Sequence, residues 1–411
     1  MTEEQNQKEN QLLSRLSFIT SLGDFLSMFA LMQLLYNITG KVELAALAVT
    51  VKSLAYVVAS LMFPSLTNRW NLKQLIVSTQ VICALIMAFI CYFAMDWAAN
   101  DSYWLLGLLA VQALLKRVFE NARESYSKNL RSETTHRSFQ AELLHGFYKA
   151  QFLGPVLSLG LIYYLPIQVP LFIDSLTFLL AAIMALSLRQ KEGFEERKHL
   201  LRPLTYLSKT PGLLAIFLLR SVAYWIPVGI FNYMLFGIVK NHYGLKLVQS
   251  AWVYAAIGMG SLMASYLLKD SKTQKRTWLG KMPNGPLAAG ALLVLALTRV
   301  AFLSLPSYTI AMGVLVISGI CNGLNATATQ AIRSRLCTKN QFPEVVALEQ
   351  IIGRSTDFLV QAFCLWAIAN QVLSFRGGIW LSAGLLVVVA LLHFKKSLWI
   401  SETPTKQPTP T

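Results

Sequence analysis

The stretch Leu72–Met95, LKQLIVSTQVICALIMAFICYFAM, contains a single charged residue, Lys73. An apolar run of about 20 residues crosses the hydrocarbon core of a bilayer as a helix. Eleven further runs of this kind lie on either side of it, which predicts an all-α integral membrane protein with twelve transmembrane helices. The predicted spans are 16–37, 43–66, 72–95, 102–120, 138–163, 168–188, 213–238, 247–268, 286–305, 308–331, 344–369 and 377–399.

The composition of the whole chain agrees with this interpretation. Of its 411 residues, 55% are hydrophobic and 14% are charged, and the mean hydropathy is +0.50. In soluble globular domains about a quarter of the residues are charged. A chain as apolar as this one needs lipid around its surface, and the composition excludes an ordinary soluble protein.

The positive charge is distributed in short breaks between the spans. The net charge is +16, but no basic domain is present to hold a duplex, so nucleic acid is not an expected partner. If the N-terminus is cytoplasmic, the outer loops hold few basic residues, namely Lys41, Lys240, Lys246 and Arg376. Because Lys and Arg are retained on the cytoplasmic side, this distribution predicts a multi-pass inner-membrane protein with both termini inside.

The longest polar break divides the chain into two halves. It predicts an N-terminal tail (1–15), a six-helix half (16–188), a cytoplasmic linker (189–212), a second six-helix half (213–400) and a C-terminal tail (401–411). The pattern Glu142-xxx-Gly146 recurs as Glu349-xxx-Gly353 in the corresponding span of the second half. Repeated halves are common in secondary transporters.

Four stretches resemble the major facilitator superfamily, in the branch that includes enterobactin exporters and macrolide efflux pumps. They are Ser21–Asp24 with Tyr36–Gly40, the loop 64–73, Gly154-Pro155 with Gly160, and Phe172–Phe178. The resemblance implies a two-half transporter fold and a gating loop that contains Asn68, Arg69 and Lys73. In this loop Pro64 stands where Gly is usual, and Asn68 stands where Asp is usual.

Charged residues inside the predicted spans indicate where function lies, because a charge at mid-bilayer costs several kcal/mol unless it faces a cavity or a partner. A cationic cavity suits an anionic solute, and an Arg side chain binds a carboxylate through two parallel hydrogen bonds. Structural ion pairs that join helices are the competing explanation. The predicted substrate-binding residues are Lys149, Arg354, Arg220, Lys52, Tyr224 and Trp225.

A proton-driven transporter also needs an acid or a histidine that changes its protonation state. The candidates are Asp24, the deepest of them, together with Glu142 and Glu349. A plain salt bridge to a loop Arg is the alternative explanation for the two glutamates. His145 is the only histidine placed to carry a proton.

The expected function is a proton-coupled exporter of a small polar or anionic solute such as a siderophore. The alternatives are a multidrug or macrolide efflux pump, an importer of the same fold, and a membrane receptor or enzyme. No nucleotide-binding loop, metal motif or cofactor motif occurs in the sequence, so we expect no cofactor and no enzyme. The expected partners are the solute, protons and membrane lipid, and the expected state is a monomer.

Overall fold

The computed structural model describes residues 3–67, 70–98, 101–129, 136–189, 202–209, 211–269, 283–337 and 342–394. These ranges form helices and no strands. The α-helices are α1 (Glu3–Thr39), α2 (Val42–Thr67), α3 (Leu72–Phe93), α4 (Ser102–Asn129), α5 (His136–Tyr164), α6 (Gln168–Ala185), α7 (Arg202–Lys209), α8 (Pro211–Leu218), α9 (Trp225–Gly237), α10 (Ala251–Lys269), α11 (Asn284–Ser304), α12 (Tyr308–Leu336), α13 (Phe342–Ala369) and α14 (Phe375–Phe394).

Eleven helical segments in the described part of the chain are long and apolar enough to cross a membrane. They correspond to eleven of the twelve predicted spans. The remaining predicted span, 138–163, is α5, whose 29 residues extend about 43 Å at ~1.5 Å per residue. Its polar residues, including His145, Lys149 and Gln151, make it less apolar than the others.

Helical structure also occurs in two segments that were expected to be a tail and a linker. Helix α1 begins at Glu3, and α7 lies within 189–212. The start of α1 is anchored to the bundle, since the buried Glu9 carboxylate pairs with Arg189 (3.2 Å) and accepts a hydrogen bond from the Tyr126 hydroxyl (3.1 Å). These contacts, together with the buried Leu13, fix the first turns of α1 against the ends of α4 and α6.

The helices pack in two sets with the same pairing. In the first set α1 contacts α5 and α6, α3 contacts α4 and α6, and α2 contacts α4. In the second set α9 contacts α13 and α14, α11 contacts α12 and α14, and α10 contacts α12. The main contacts between the sets are α2 with α13 and α5 with α10. The core therefore lies partly within each set and partly along these two seams.

Close helix packing depends on small residues. A Cβ atom on Gly260 of α10 would lie 1.9 Å from the carbonyl oxygen of Val316, and one on Gly319 of α12 would lie 2.1 Å from that of Ile257. Membrane helices approach closely where such residues remove the side chain from the contact. The α10–α12 pair therefore tolerates no larger side chain at these two positions.

The seventh predicted span is irregular. A π-helical turn, Leu219–Ala223, separates α8 from α9, and the Tyr224 amide donates to the Leu219 carbonyl at 2.9 Å. Pro227 lacks an amide hydrogen and leaves a gap in the hydrogen bonding of the next turn. Single π-helical turns are frequent at functional sites, and this one contains Arg220.

Candidate functional site

A group of buried charges lies in the first helix set. Lys116 on α4 forms an ion pair with Asp24 on α1, and the Gln112 amide nitrogen donates to the same carboxylate (3.4 Å). Asp24 was predicted from the sequence, but Lys116 was not. The signal was present, because Lys116-Arg117 falls within the predicted span 102–120. The polar end of that span resembled a loop, although α4 continues through it to Asn129.

Lys52 on α2 lies beside this pair. Its side chain lines a small cavity of about 10 Å³ with Met28, Leu31, Met32, Ala48 and Leu109. Asp24, Asp174 and Lys116 are the charges that act on it. Within the described part of the chain, no carboxylate lies within ion-pair distance of Lys52, so its charge remains available to other groups.

Asp174 on α6 is the fourth member of the group. Its side chain is completely buried and lies against Gly23 of α1, the residue that precedes Asp24. The Thr177 hydroxyl donates to one carboxylate oxygen at 3.3 Å. Four helices of one set thus bring two acids and two lysines together in its interior.

A second group lies on the seam between the two sets. The Arg354 guanidinium on α13 is 4.7 Å from the ring centre of Trp225 and 5.3 Å from that of Tyr56. Trp225 belongs to α9 and Tyr56 to α2, so the cation stands between rings from different sets. Its side chain is 36% exposed, and its nearest carboxylate is Asp357 at 3.7 Å.

Hydrogen bonds connect α2 to α13 next to Arg354. The Ser53 hydroxyl donates to the Asp357 carboxylate (2.6 Å), and the Thr50 hydroxyl donates to the Gln361 side-chain oxygen (3.0 Å). The Gln361 amide in turn donates to Asp357 at 2.8 Å. Asp357 is therefore held by hydrogen-bond donors, and Arg354 keeps part of its surface free for a ligand.

Arg220 and Glu349 belong to a separate charge group. The Glu349 carboxylate accepts from Arg333 (2.5 Å) and lies 3.6 Å from Arg220, which also stacks over the Tyr224 ring at 4.7 Å. The Tyr224 hydroxyl donates to Asn322 at 2.5 Å. These residues join the π-helical turn, which contains Arg220, to α12 and α13. The contact of Glu349 with an Arg resembles the structural pairing that was the alternative explanation for this acid.

The structure does not bring Lys149 to these groups. Its side chain is exposed, and no hydrogen bond or ion pair with another described residue involves it. It shares one face of α5 with Leu153 and Leu157, which are 38% and 46% exposed. His145 on the same helix is buried, and its Nδ1 lies 3.2 Å from the Ser265 hydroxyl of α10.

Three other predicted residues lie partly or wholly outside the described part. The side chain of Glu142 is not described, and Asn68 and Arg69 lie outside the described residues. Lys73 of the same loop is described, and its ammonium donates to the Leu186 carbonyl at the end of α6 (2.6 Å). This contact connects the start of α3 to the end of α6.

Comparisons with known proteins assign the fold. The human organic anion transporter MFSD10 (TETRAN) has a similar structure, with a TM-score of 0.69 and 11% identity over 93% of this chain and 99% of that one. A bacterial homologue of the iron transporter ferroportin in an outward-facing state has a TM-score of 0.63 and 15% identity, over 94% of this chain and 99% of that one. No curated protein matches the sequence significantly.

The sequence profile described as Major Facilitator Superfamily matches residues 13–355, which is most of the chain. That match runs through the first set of helices and into α13 of the second set. The chain therefore belongs to the major facilitator superfamily.

Proposed function

We propose that this protein is a proton-coupled exporter of a small anionic organic solute such as a siderophore. It works by alternating access, with two six-helix halves, of twelve spans in total, that rock about a central site. The repeated helix pairing and the two seams between the sets support this division. In such transporters the substrate site lies between the repeats near the bilayer midplane.

The environment of Arg354 is the observation that carries the proposal. Its cation stands on the seam between Trp225 and Tyr56, and 36% of its side chain is exposed. Aromatic faces attract a cation without neutralising its charge, so the guanidinium remains able to bind a carboxylate. An anion at this point contacts both halves, and its binding therefore responds to their relative movement.

The group around Asp24 supports proton coupling. Asp24 and Lys116 form an ion pair within one half, and Lys52 and Asp174 lie beside it. Protonation of one acid in this group leaves an excess of positive charge in the interior of that half. Such an imbalance is costly in a low-dielectric medium and is a means of driving a conformational change.

Comparing the metabolites that cells secrete tests the proposal. A strain that lacks this gene should retain one or more anionic metabolites that the parent strain secretes, as measured by mass spectrometry of medium and cell extract in negative-ion mode. Reintroducing the gene should restore secretion, and a protonophore should abolish it. Equal profiles in the two strains contradict export, and accumulation from the medium by the parent strain alone indicates an importer.

Efflux of lipophilic drugs is the second candidate. The aromatic rings near the seam favour it, because they offer an apolar surface. Tyr56 and Trp225 lie beside Arg354, and Tyr224 lies beside Arg220. If the protein is a drug pump, the deletion strain should become sensitive to macrolides while its secreted anions stay unchanged. An anion exporter predicts the opposite pair of results.

A further inference from the structure

Asp174 is a carboxyl group with few polar contacts. It is completely buried within α6. The Thr177 hydroxyl shares its single proton between the Asp174 backbone carbonyl (2.7 Å) and one carboxyl oxygen of Asp174 (3.3 Å). The other oxygen has no hydrogen-bond partner among the described residues. The Ser27 hydroxyl lies beside the carboxyl group as a second donor, and it also donates to the backbone carbonyl of Asp24 at 3.4 Å.

No cation neutralises this carboxyl group at close range. The titratable groups that face it are Asp24 on α1, Lys52 on α2, Cys83 on α3 and Lys116 on α4. Lys116 is already engaged by Asp24, and no ion pair within the described residues includes Asp174. Asp24 adds a negative charge nearby, which further disfavours a second ionised carboxylate.

Gly23 of α1 packs directly against the Asp174 carboxyl group. A Cβ atom there would lie 2.1 Å from the Thr177 hydroxyl oxygen and 2.3 Å from an Asp174 carboxylate oxygen. The α1 backbone thus approaches the carboxyl group directly, and there is no room for a lysine side chain or a hydration shell on that side. A neutral carboxylic acid needs neither.

These contacts fit a neutral acid. A buried carboxylate accepts several hydrogen bonds or pairs with a cation, because an ionised group in an apolar interior is otherwise very costly. The donors to the Asp174 carboxyl group are two neutral hydroxyls, those of Thr177 and Ser27, and no cation among the described residues forms an ion pair with it. We propose that Asp174 is a proton-binding site, which holds a proton in this conformation while Asp24 is paired with Lys116.

The role of this site in transport rests on the proposed function. The proton passes from water on one side of the membrane to the Asp174 carboxylate, and then to water on the other side after the halves have moved. Its release requires that Asp174 gain a cationic partner. Lys116 and Lys52 are the two cations whose charges act on Asp174.

Infrared difference spectroscopy on the purified full-length protein tests the proton directly. At neutral pH the wild-type protein should show a carbonyl stretching band of a protonated carboxylic acid, and Asp174→Asn should remove it. Thr177→Val should keep the band and shift it to higher wavenumber, because the carboxyl group loses one of its hydrogen-bond donors. Asp357→Asn is the matched buried control and should leave the band unchanged, since the Asp357 carboxylate accepts hydrogen bonds from both Ser53 and Gln361.

A spectrum in which Asp174→Asn removes no such band overturns the proposal. The secretion assay described above tests the transport role separately, and Asp174→Asn should there abolish the protonophore-sensitive part. If the band is lost but this variant secretes like the wild type, Asp174 is not the coupling group. If the wild-type protein secretes no anion, the proposed function fails while the infrared result still decides the protonation of Asp174.

Discussion

At the scale of single residues, Asp24 acts through its ion pair with Lys116. Asp24→Asn removes the negative charge and leaves Lys116 to pair with Asp174. We expect this variant to lose secretion against a gradient, down to the level of the deletion strain, while exchange of solute across the membrane is retained. The measurement compares net secretion with exchange of isotope-labelled metabolite in everted vesicles.

Asp96→Asn is the control for this variant, because Asp96 is an exposed residue near the end of α3. It should secrete like the wild type. If Asp24→Asn also pumps against a gradient at the wild-type rate, Asp24 takes no part in coupling, and Asp174 and Glu142 remain as the candidates.

The sequence predicted individual charges better than their partners. Asp24, Arg354 and Lys52 stand out because they interrupt apolar runs. The sequence does not show that Trp225 and Tyr56 lie on either side of Arg354, since these residues come from different helix sets. Lys116 was missed because residue types at the end of a span do not distinguish a loop from a helix that continues beyond the bilayer.

At the scale of helices, the α2–α13 seam depends on two short hydrogen-bonded contacts. Ser53→Ala removes one donor to the buried Asp357 carboxylate, and a buried group that loses a partner costs about 1–3 kcal/mol. We expect the populations of open states to rise by about 5- to 150-fold, since ~1.4 kcal/mol corresponds to tenfold. Electron-spin distance measurements between labels at Tyr92 and Ile310 would show a broader, longer distribution.

Ser60→Ala is the matched control on the same helix. The Ser60 hydroxyl accepts a hydrogen bond from Arg117 (3.5 Å), and both residues belong to one helix set. Its removal should leave the distance distribution between the sets unchanged. Identical distributions for Ser53→Ala and the wild type would show that the seam does not depend on this contact.

The α10–α12 pair gives a prediction about stability. Gly260→Ala places a Cβ atom only 1.9 Å from the Val316 carbonyl oxygen. We expect the two helices to move apart and the free energy of unfolding to fall by about 1–3 kcal/mol, the usual cost of overpacking. Thermal unfolding in detergent measures the effect.

Gly290→Ala on α11 is a suitable comparison, because a Cβ atom there meets no other atom within 4 Å. It should unfold at the wild-type temperature or slightly above, since alanine favours a helix more than glycine does. A Gly260→Ala protein as stable as this control would contradict the close contact.

Helix positions followed from the sequence with few errors. Apolar length fixes a span, so the predicted 72–95 and 308–331 coincide with α3 and most of α12. The helical start of α1 was not predicted, because its stability comes from contacts of Glu9 with distant residues and not from apolar length. The π-helical turn at Leu219–Ala223 also depends on packing that no local pattern reveals.

At the scale of the whole molecule, loop charge predicts the orientation in the membrane. Both termini should be cytoplasmic, and the loop between α3 and α4 should be outside. Single labelling sites at Asn100 and Thr411 should therefore react with an impermeant reagent from opposite sides. Labelling of both sites from the same side contradicts the twelve-span topology.

Binding of the exported anion to Arg354 between the two halves is the core of the proposed function. Its most direct test is secretion by a deletion strain that expresses Arg354→Gln, with Arg376→Gln as the control at an exposed outer position. We expect Arg354→Gln protein to be inserted normally but to secrete no more anionic metabolite than the deletion strain, while Arg376→Gln should restore wild-type secretion. Wild-type secretion by Arg354→Gln would contradict this proposal.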